Sequence, residues 1–94
     1  MNNLIFEWDN KKEKENLKKH DVSFEEAQPV FFDDKAIQFW DEKHSGDEER
    51  FLMLGLSNRL RLLLIVHCYR EDESTIRLIS ARKATKKEII EYPG

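Results

Sequence analysis

The sequence predicts an α+β fold, an antiparallel sheet carrying helices, on three observations. Two helix-start signatures follow one short β-prone run near the N-terminus, the second half is dominated by branched and aromatic runs with short turns between them, and a third helix-start signature lies close to the C-terminus. Strands run together in sequence, with helices gathered before and after them, build a sheet with helices on one side or end.

Leu4 to Trp8 is short, branched and aromatic, and Asp9 behind it is a good helix cap, which predicts an edge strand and then a helix. That helix, residues 10–20, is almost wholly polar; Leu17 is its one large apolar residue, so it buries little and leans on neighbours. Ser23-Phe24-Glu25-Glu26 is a capping box, in which the serine accepts from the Glu26 amide and the Glu26 carboxylate reaches back. Val22 is placed to staple onto Ala27, and Phe24, Ala27 and Phe31 form one apolar stripe that belongs to the core.

Ala36 to Trp40 is strand-like, and His44 to Asp47 reads as a loop. Two longer strands follow, Arg50 to Ser57 and Arg61 to Arg70, joined by a turn without glycine whose type stays open. In the second of these, Leu60, Leu62, Leu64, Val66 and Cys68 recur at period two and predict a dry face, whereas Arg61, Leu63, Ile65, His67 and Tyr69 predict a mixed one. The strand is therefore expected to be central. Thr75 to Lys83 is the last strand, and Thr85-Lys86-Lys87-Glu88 is a capping box that opens a short helix through Ile89, Ile90 and Tyr92. The order is β-α-α-β-β-β-β-α.

Ninety-four residues, 39% of them apolar, suit one domain over residues 1–94 with one modest core. A charged fraction of 37% at a net charge of -3 names no partner class. Cys68 alone gives no disulfide and no multi-cysteine zinc site, and it reads as core filler. The longest apolar run, Leu62 to Val66, is far short of a membrane span, and the N-terminus has no signal-peptide pattern, so a soluble, cytoplasmic protein is expected.

The chemistry lies in how charge is distributed. Between Thr75 and Lys87 stand Arg77, Arg82, Lys83, Lys86 and Lys87 with no acidic residue, a strip that would hold a phosphate backbone or else be a solvated strand edge. His67, mid-strand beside Tyr69 and Arg70, is either a general acid or base or a hydrogen-bonded structural histidine. His20 ends a helix after Lys18 and Lys19, where a cation favours the helix C-terminus, so capping and catalysis explain it equally. No metal-ligand spacing, phosphate-binding glycine loop or serine-hydrolase motif is present; metal-free, cofactor-free chemistry by Arg, Lys, His and Tyr is the expectation. Nor is there a helix-turn-helix with a basic recognition helix, since the first helix balances lysine with glutamate.

Beyond the residues themselves, the chain resembles the BrnT toxin family. The likeness is carried by Phe6-Glu7-Trp8-Asp9, Asn16, Lys19-His20, Val22-Ser23-Phe24-Glu25-Glu26-Ala27, Val30-Phe31 and Asp33. It continues through His44-Ser45, Glu48-Glu49-Arg50-Phe51, Leu54-Gly55-Leu56-Ser57, His67, Arg70, Ile76 to Thr85 and Glu88. Asp34, where the family often has proline, and the glycine-free turn from Ser57 to Arg61 depart from the pattern.

The resemblance implies a RelE-like fold and a metal-independent ribonuclease that blocks translation. It also implies a BrnA-type antitoxin partner, through which alone DNA is contacted. Under that reading Arg70, Arg82 and Lys83 stabilise a phosphorane, His67 carries the proton, and Lys19, His20 and Tyr92 complete the cleft. Arg59, Arg61, Arg77, Lys86 and Lys87 contact the RNA backbone. Arg82 has a structural alternative, an ion pair with Glu88. The rival for the whole chain is a catalytically inactive module that binds a DNA-binding protein.

Overall fold

The computed structural model describes residues 3–44, 46 and 48–94. Its elements are β1 (Ile5–Glu7), α1 (Asn10–His20), α2 (Phe24–Ala27), a 3₁₀ helix (Gln28–Phe32), β2 (Ile37–Trp40), β3 (Phe51–Leu56), β4 (Leu62–Tyr69), β5 (Thr75–Lys83) and α3 (Lys86–Glu91). The sheet order is β1-β5-β4-β3-β2. From β2 to β5 every pairing is antiparallel, as expected, while β1 adds to the edge parallel to β5, which makes the sheet mixed. Parallel pairing is possible there because α1 and the other strands lie between β1 and β5 in sequence, room enough for the chain to return. Of the predicted loop His44 to Asp47, Ser45 and Asp47 lie outside the described residues.

Asp9 caps α1 by accepting from the amides of Lys11 at 2.8 Å and Lys12 at 3.3 Å. This polar helix does not lean on Leu17, which is 48% exposed; its buried residue is Asn16. The Asn16 amide donates to Ala81 O at 2.8 Å and to Val22 O at 2.9 Å, and its Oδ1 accepts from Ala81 N at 3.0 Å. The three-residue β1 pairs only with the start of β5, so Ala81 has no strand on its outer side and Asn16 supplies both missing ladder bonds. One side chain thereby fastens α1 to the sheet edge.

Of the predicted apolar stripe, Phe24 and Ala27 are fully buried and Phe31 partly so, and with Val22 and Val30 they pack on Leu63, Ile65, Ile76, Leu78 and Ala81. Pro29 enters at the first turn of the 3₁₀ helix, which ends the α-helical hydrogen bonding after Ala27. The Ser23 capping box is only half formed. Ser23 Oγ accepts from Glu26 N at 3.0 Å, but the Glu26 carboxylate turns to Arg61 and Ser57 instead of back to the cap. Here a buried charge-assisted partner outcompetes a local amide. At α3 both halves of the Thr85–Glu88 box are present.

Both faces of β4 are largely covered, where one dry and one mixed face were expected. On the expected dry face Leu64 and Cys68 are buried, Leu62 and Val66 are half-buried and Leu60 is 79% exposed, while Leu63, Ile65 and His67 on the expected mixed face are fully buried. Periodicity separates two faces, but the α2 and 3₁₀ layer decides that the supposedly mixed one is sealed. Leu60 lies beyond the strand, in the β3–β4 turn, with φ at 59°. Gly55 is where the 3₁₀ helix comes closest: a Cβ there would sit 2.8 Å from Val30 Cγ1 and 2.9 Å from Ala36 Cβ.

Candidate functional site

Several cations converge at one end of the sheet. The C-terminal ends of α1 and β5, the β3–β4 turn and the start of α3 meet there. Arg61 Nη2 donates to Asp21 O at 3.0 Å, and Ala84 N donates to Leu62 O at 2.9 Å. These ties bring Lys19, His20, Arg59, Arg61, Arg82, Lys83, Lys86 and Lys87 to the same end.

The guanidinium groups at this end are largely spoken for. Arg61 forms an ion pair with the buried Glu26 through Nε at 2.8 Å and through Nη2, and Glu26 also accepts from Ser57 Oγ at 2.7 Å. The Arg61 hydrogen bonds hold the Glu26 carboxyl below its ordinary range against the opposing effect of burial. Arg59, mostly exposed, is 3.7 Å from the same carboxylate. Arg82 grips Glu88 with two nitrogens, each at 2.8 Å, and this fork lowers the Glu88 pKa to about 2. That is the structural alternative the sequence offered for Arg82. Lys19, Lys83, Lys86 and Lys87, in contrast, are exposed, and no described lysine forms an ion pair.

Other predicted residues stand elsewhere. Arg70 pairs through Nε with Glu7 across the β1 edge, and Arg77 lines a concavity with Glu7, Trp8, Asp9, Asn10 and Arg70. Tyr69 pairs with Ile76 and Leu64 with Arg82, so Arg70 and Arg82 are separated by roughly six strand residues, about 20 Å. They do not meet around one phosphate. Carboxylates gather at Arg70's end, where Glu48, Glu49, Glu71 and Glu73 line an open cavity with Phe51 and Tyr69.

His67 is inside the protein, 0% exposed, between the rings of Phe31 and Tyr69. Its Nδ1 lies 3.1 Å from Ile65 O, and its Nε2 lies 3.0 Å from the side-chain amide of Gln38. Burial pushes its pKa down to about 4, so the ring is neutral at pH 7. Ile65 O and Gln38 Oε1 are both acceptors, so the one N–H of the neutral ring donates to one of them, and Gln38 Oε1 also accepts from the Tyr69 hydroxyl at 2.5 Å. Tyr92 lies across the end of the sheet, donating to Asp33 Oδ2 at 2.6 Å, while the same oxygen accepts from Leu56 N at 2.8 Å. The Asp33 carboxylate raises the Tyr92 pKa to about 12.

Sequence reasoning missed Asn16 as a structural tie and Gln38 as the partner of His67. Neither is legible from spacing, because their partners lie 65 and 29 residues away. Among the described residues no three His, Cys, Asp or Glu side chains stand together as a metal-holding group, and no helix is long and apolar enough to cross a membrane.

The structure is thus that of a small α+β domain with a braced sheet and exposed, unpaired lysines at one end, a cationic surface of the kind that suits a polyanion. The comparison with known proteins makes this specific. Residues 8–88 match the family described as the ribonuclease toxin, BrnT, of type II toxin-antitoxin systems, and the chain belongs to that family. Among solved structures it is similar to the 1.1 Å crystal structure of the Brucella abortus ribonuclease toxin BrnT. The TM-score is 0.67 at 21% identity, over 88% of this chain and 99% of that one. This likeness establishes the shared fold. No curated protein sequence matches the chain. Membership of a type II toxin-antitoxin family carries with it an antitoxin partner.

Proposed function

We propose that this protein is a metal-independent endoribonuclease that halts translation when free and is neutralised by a BrnA-type antitoxin, which makes any DNA contact. The observation that carries this reading is the convergence of unpaired lysines with an accessible histidine, His20, at one end of the sheet.

RNA provides its own nucleophile. The 2′-hydroxyl oxygen attacks the adjacent phosphorus as the P–O5′ bond breaks, giving a 2′,3′-cyclic phosphate and a 5′-hydroxyl. A base removes the 2′ proton, an acid returns one to O5′, and cations stabilise the phosphorane between these events. His20 takes the proton role because it is half-exposed among lysines, whereas His67 is enclosed, with an acceptor beside each ring nitrogen. Lys19 and Lys83 face the developing charge, and Arg59, Lys86 and Lys87 guide the backbone. Arg61 and Arg82 hold the framework through Glu26 and Glu88, His67 and Tyr92 position the elements around them, and Arg70 and Arg77 lie outside this centre.

The test incubates the purified, partner-free protein with total RNA in excess chelator, beside folded His20→Ala and His67→Gln proteins. Cleavage by the parent, lost in His20→Ala and retained in His67→Gln, is expected. Loss with His67→Gln alone would return the proton role to the interior histidine. No cleavage by a folded parent would overturn the reading of a ribosome-independent nuclease and favour the interaction module.

A further inference from the structure

The cleft that holds His20 and Lys19 extends along α1 to Lys12 and Glu15, groups that the proposed chemistry does not use. A cavity of about 250 Å³ runs between α1 and β5, lined by Lys12, Glu15, Asn16, Lys19, His20, Ile79 and Ser80. Two features of the fold build it. Asn16 locks α1 to the edge of β5, fixing the width of the cleft. The β4–β5 register slips between Val66 and His67, so that Ile79 is the extra residue of a bulge between Leu78 and Ser80. A bulge turns successive side chains out of strict alternation, and here Ile79 and Ser80 both reach the same cleft.

The lining is chemically open. Lys12, Glu15 and Lys19 fall at helical spacing on one side of α1, and neither they, His20 nor the Ser80 hydroxyl makes a side-chain hydrogen bond or ion pair to any described residue. Most of the neighbouring polar groups are engaged, Asn16 with the backbone and Arg82 with Glu88. The cleft thus offers two ammonium groups and an imidazole, one hydroxyl, one carboxylate and an apolar floor at Ile79.

We propose that this cleft is a ribonucleotide subsite, a reading that rests on RNA being the substrate. Lys12 and Lys19 take phosphate oxygens, Ile79 supports the sugar or base, and the Glu15 carboxylate accepts from the ribose 2′-hydroxyl. A carboxylate on a ribose hydroxyl distinguishes ribose from deoxyribose, because a deoxyribose brings no hydroxyl to donate to it and leaves its charge beside the phosphate uncompensated by that bond. Glu15 is then a specificity-determining residue set among cations that bind either sugar.

The experiment titrates isotope-labelled protein with uridine 3′-monophosphate, 2′-deoxyuridine 3′-monophosphate and inorganic phosphate, following amide resonances, with cleavage of total RNA measured in parallel. The expected result is saturable shifts over Lys12 to His20 and Ile79 to Ser80, tighter for the ribonucleotide. Lys12→Ala weakens both nucleotides about tenfold, and Glu15→Gln abolishes the preference for ribose. Both substituted side chains, Lys12 and Glu15, are exposed, so folding is retained. Shifts confined to other regions, or a ribose preference unchanged in Glu15→Gln, overturn the subsite. Cleavage without shifts in the cleft sinks the subsite and spares the ribonuclease reading; shifts in the cleft without cleavage do the reverse.

Discussion

At the end of the sheet where β5 runs into α3, Lys83, Lys86, Lys87 and Lys19 stand unpaired, while Arg61 and Arg82 are held by Glu26 and Glu88. At the opposite end, where β4 turns into β5, Glu48, Glu49, Glu71 and Glu73 crowd one cavity and Arg70 is held by Glu7. Both ends therefore use arginine as a tie, and they differ in the sign of the charge left over. A guanidinium presents a rigid fork that suits a fixed carboxylate, whereas an ammonium on a flexible stem is a mobile point charge suited to a ligand that must slide or leave. On the proposed reading, then, the free lysines rather than the arginines receive the RNA, and a net charge of -3 conceals an uneven distribution of charge between the two ends.

The largest effect that would sharpen this contrast is on RNA affinity. Replacing Lys83, Lys86 and Lys87 together by glutamate is expected to weaken binding of a short RNA about a thousandfold at low salt and to flatten its salt dependence. Replacing Glu71 and Glu73 by lysine should leave affinity unchanged or raised. Equal losses at the two ends, read by fluorescence anisotropy at two salt concentrations, would abolish the polarity argued here.

Next comes the brace between the two ends. Asn16→Ala removes three hydrogen bonds and strands the buried backbone of Ala81, so a loss of about 3 kcal/mol is expected in urea unfolding. A loss below 1 kcal/mol would mean that α1 is held otherwise.

His67 gives a smaller effect with a definite sign. Its folded pKa is about 4, against an unfolded value near 6.5, so the unfolded chain takes up a proton first as pH falls. Stability is full above pH 6.5 and is lost as pH drops toward 4, by about 2 kcal/mol between pH 8 and pH 5. Glu88, whose pKa is lowered to about 2, contributes its own loss only below the ordinary carboxyl value of 4.5, so the two windows separate. A flat profile from pH 8 to pH 5, or an unchanged slope in His67→Gln, would remove the interior histidine as the cause. The smallest effect concerns Leu60, an exposed leucine at φ 59°: Leu60→Gly should relieve left-handed strain and raise stability by about 1 kcal/mol, and a lower melting temperature would contradict this.

Local signals determined much of what is seen. Asp9, Ser23 and Thr85 cap the helices that follow them, as their side chains require, and β5 occupies Thr75–Lys83, the run its branched residues and flanking turns mark out. The placing of β4 in the middle of the sheet also followed from its long apolar alternation. The strip of cations after Thr75 was legible as composition, and so was the suspicion that Arg82 answers Glu88, a partner only six residues away.

Tertiary structure alone decided the rest, because the deciding partners are distant in sequence. Glu26 left its own capping box for Arg61, 35 residues on, and Arg70 turned to Glu7 across 63 residues. The enclosure of His67 by Phe31, Gln38 and Tyr69 likewise exists only in three dimensions. That the face of β4 with Leu63, Ile65 and His67 is sealed was also settled by the layer that packs on it. Capping and alternation are written within a turn or two of chain, where neighbours are fixed by covalent geometry. Burial and ion pairing depend on which surfaces meet, and that is set only when the whole sheet is assembled.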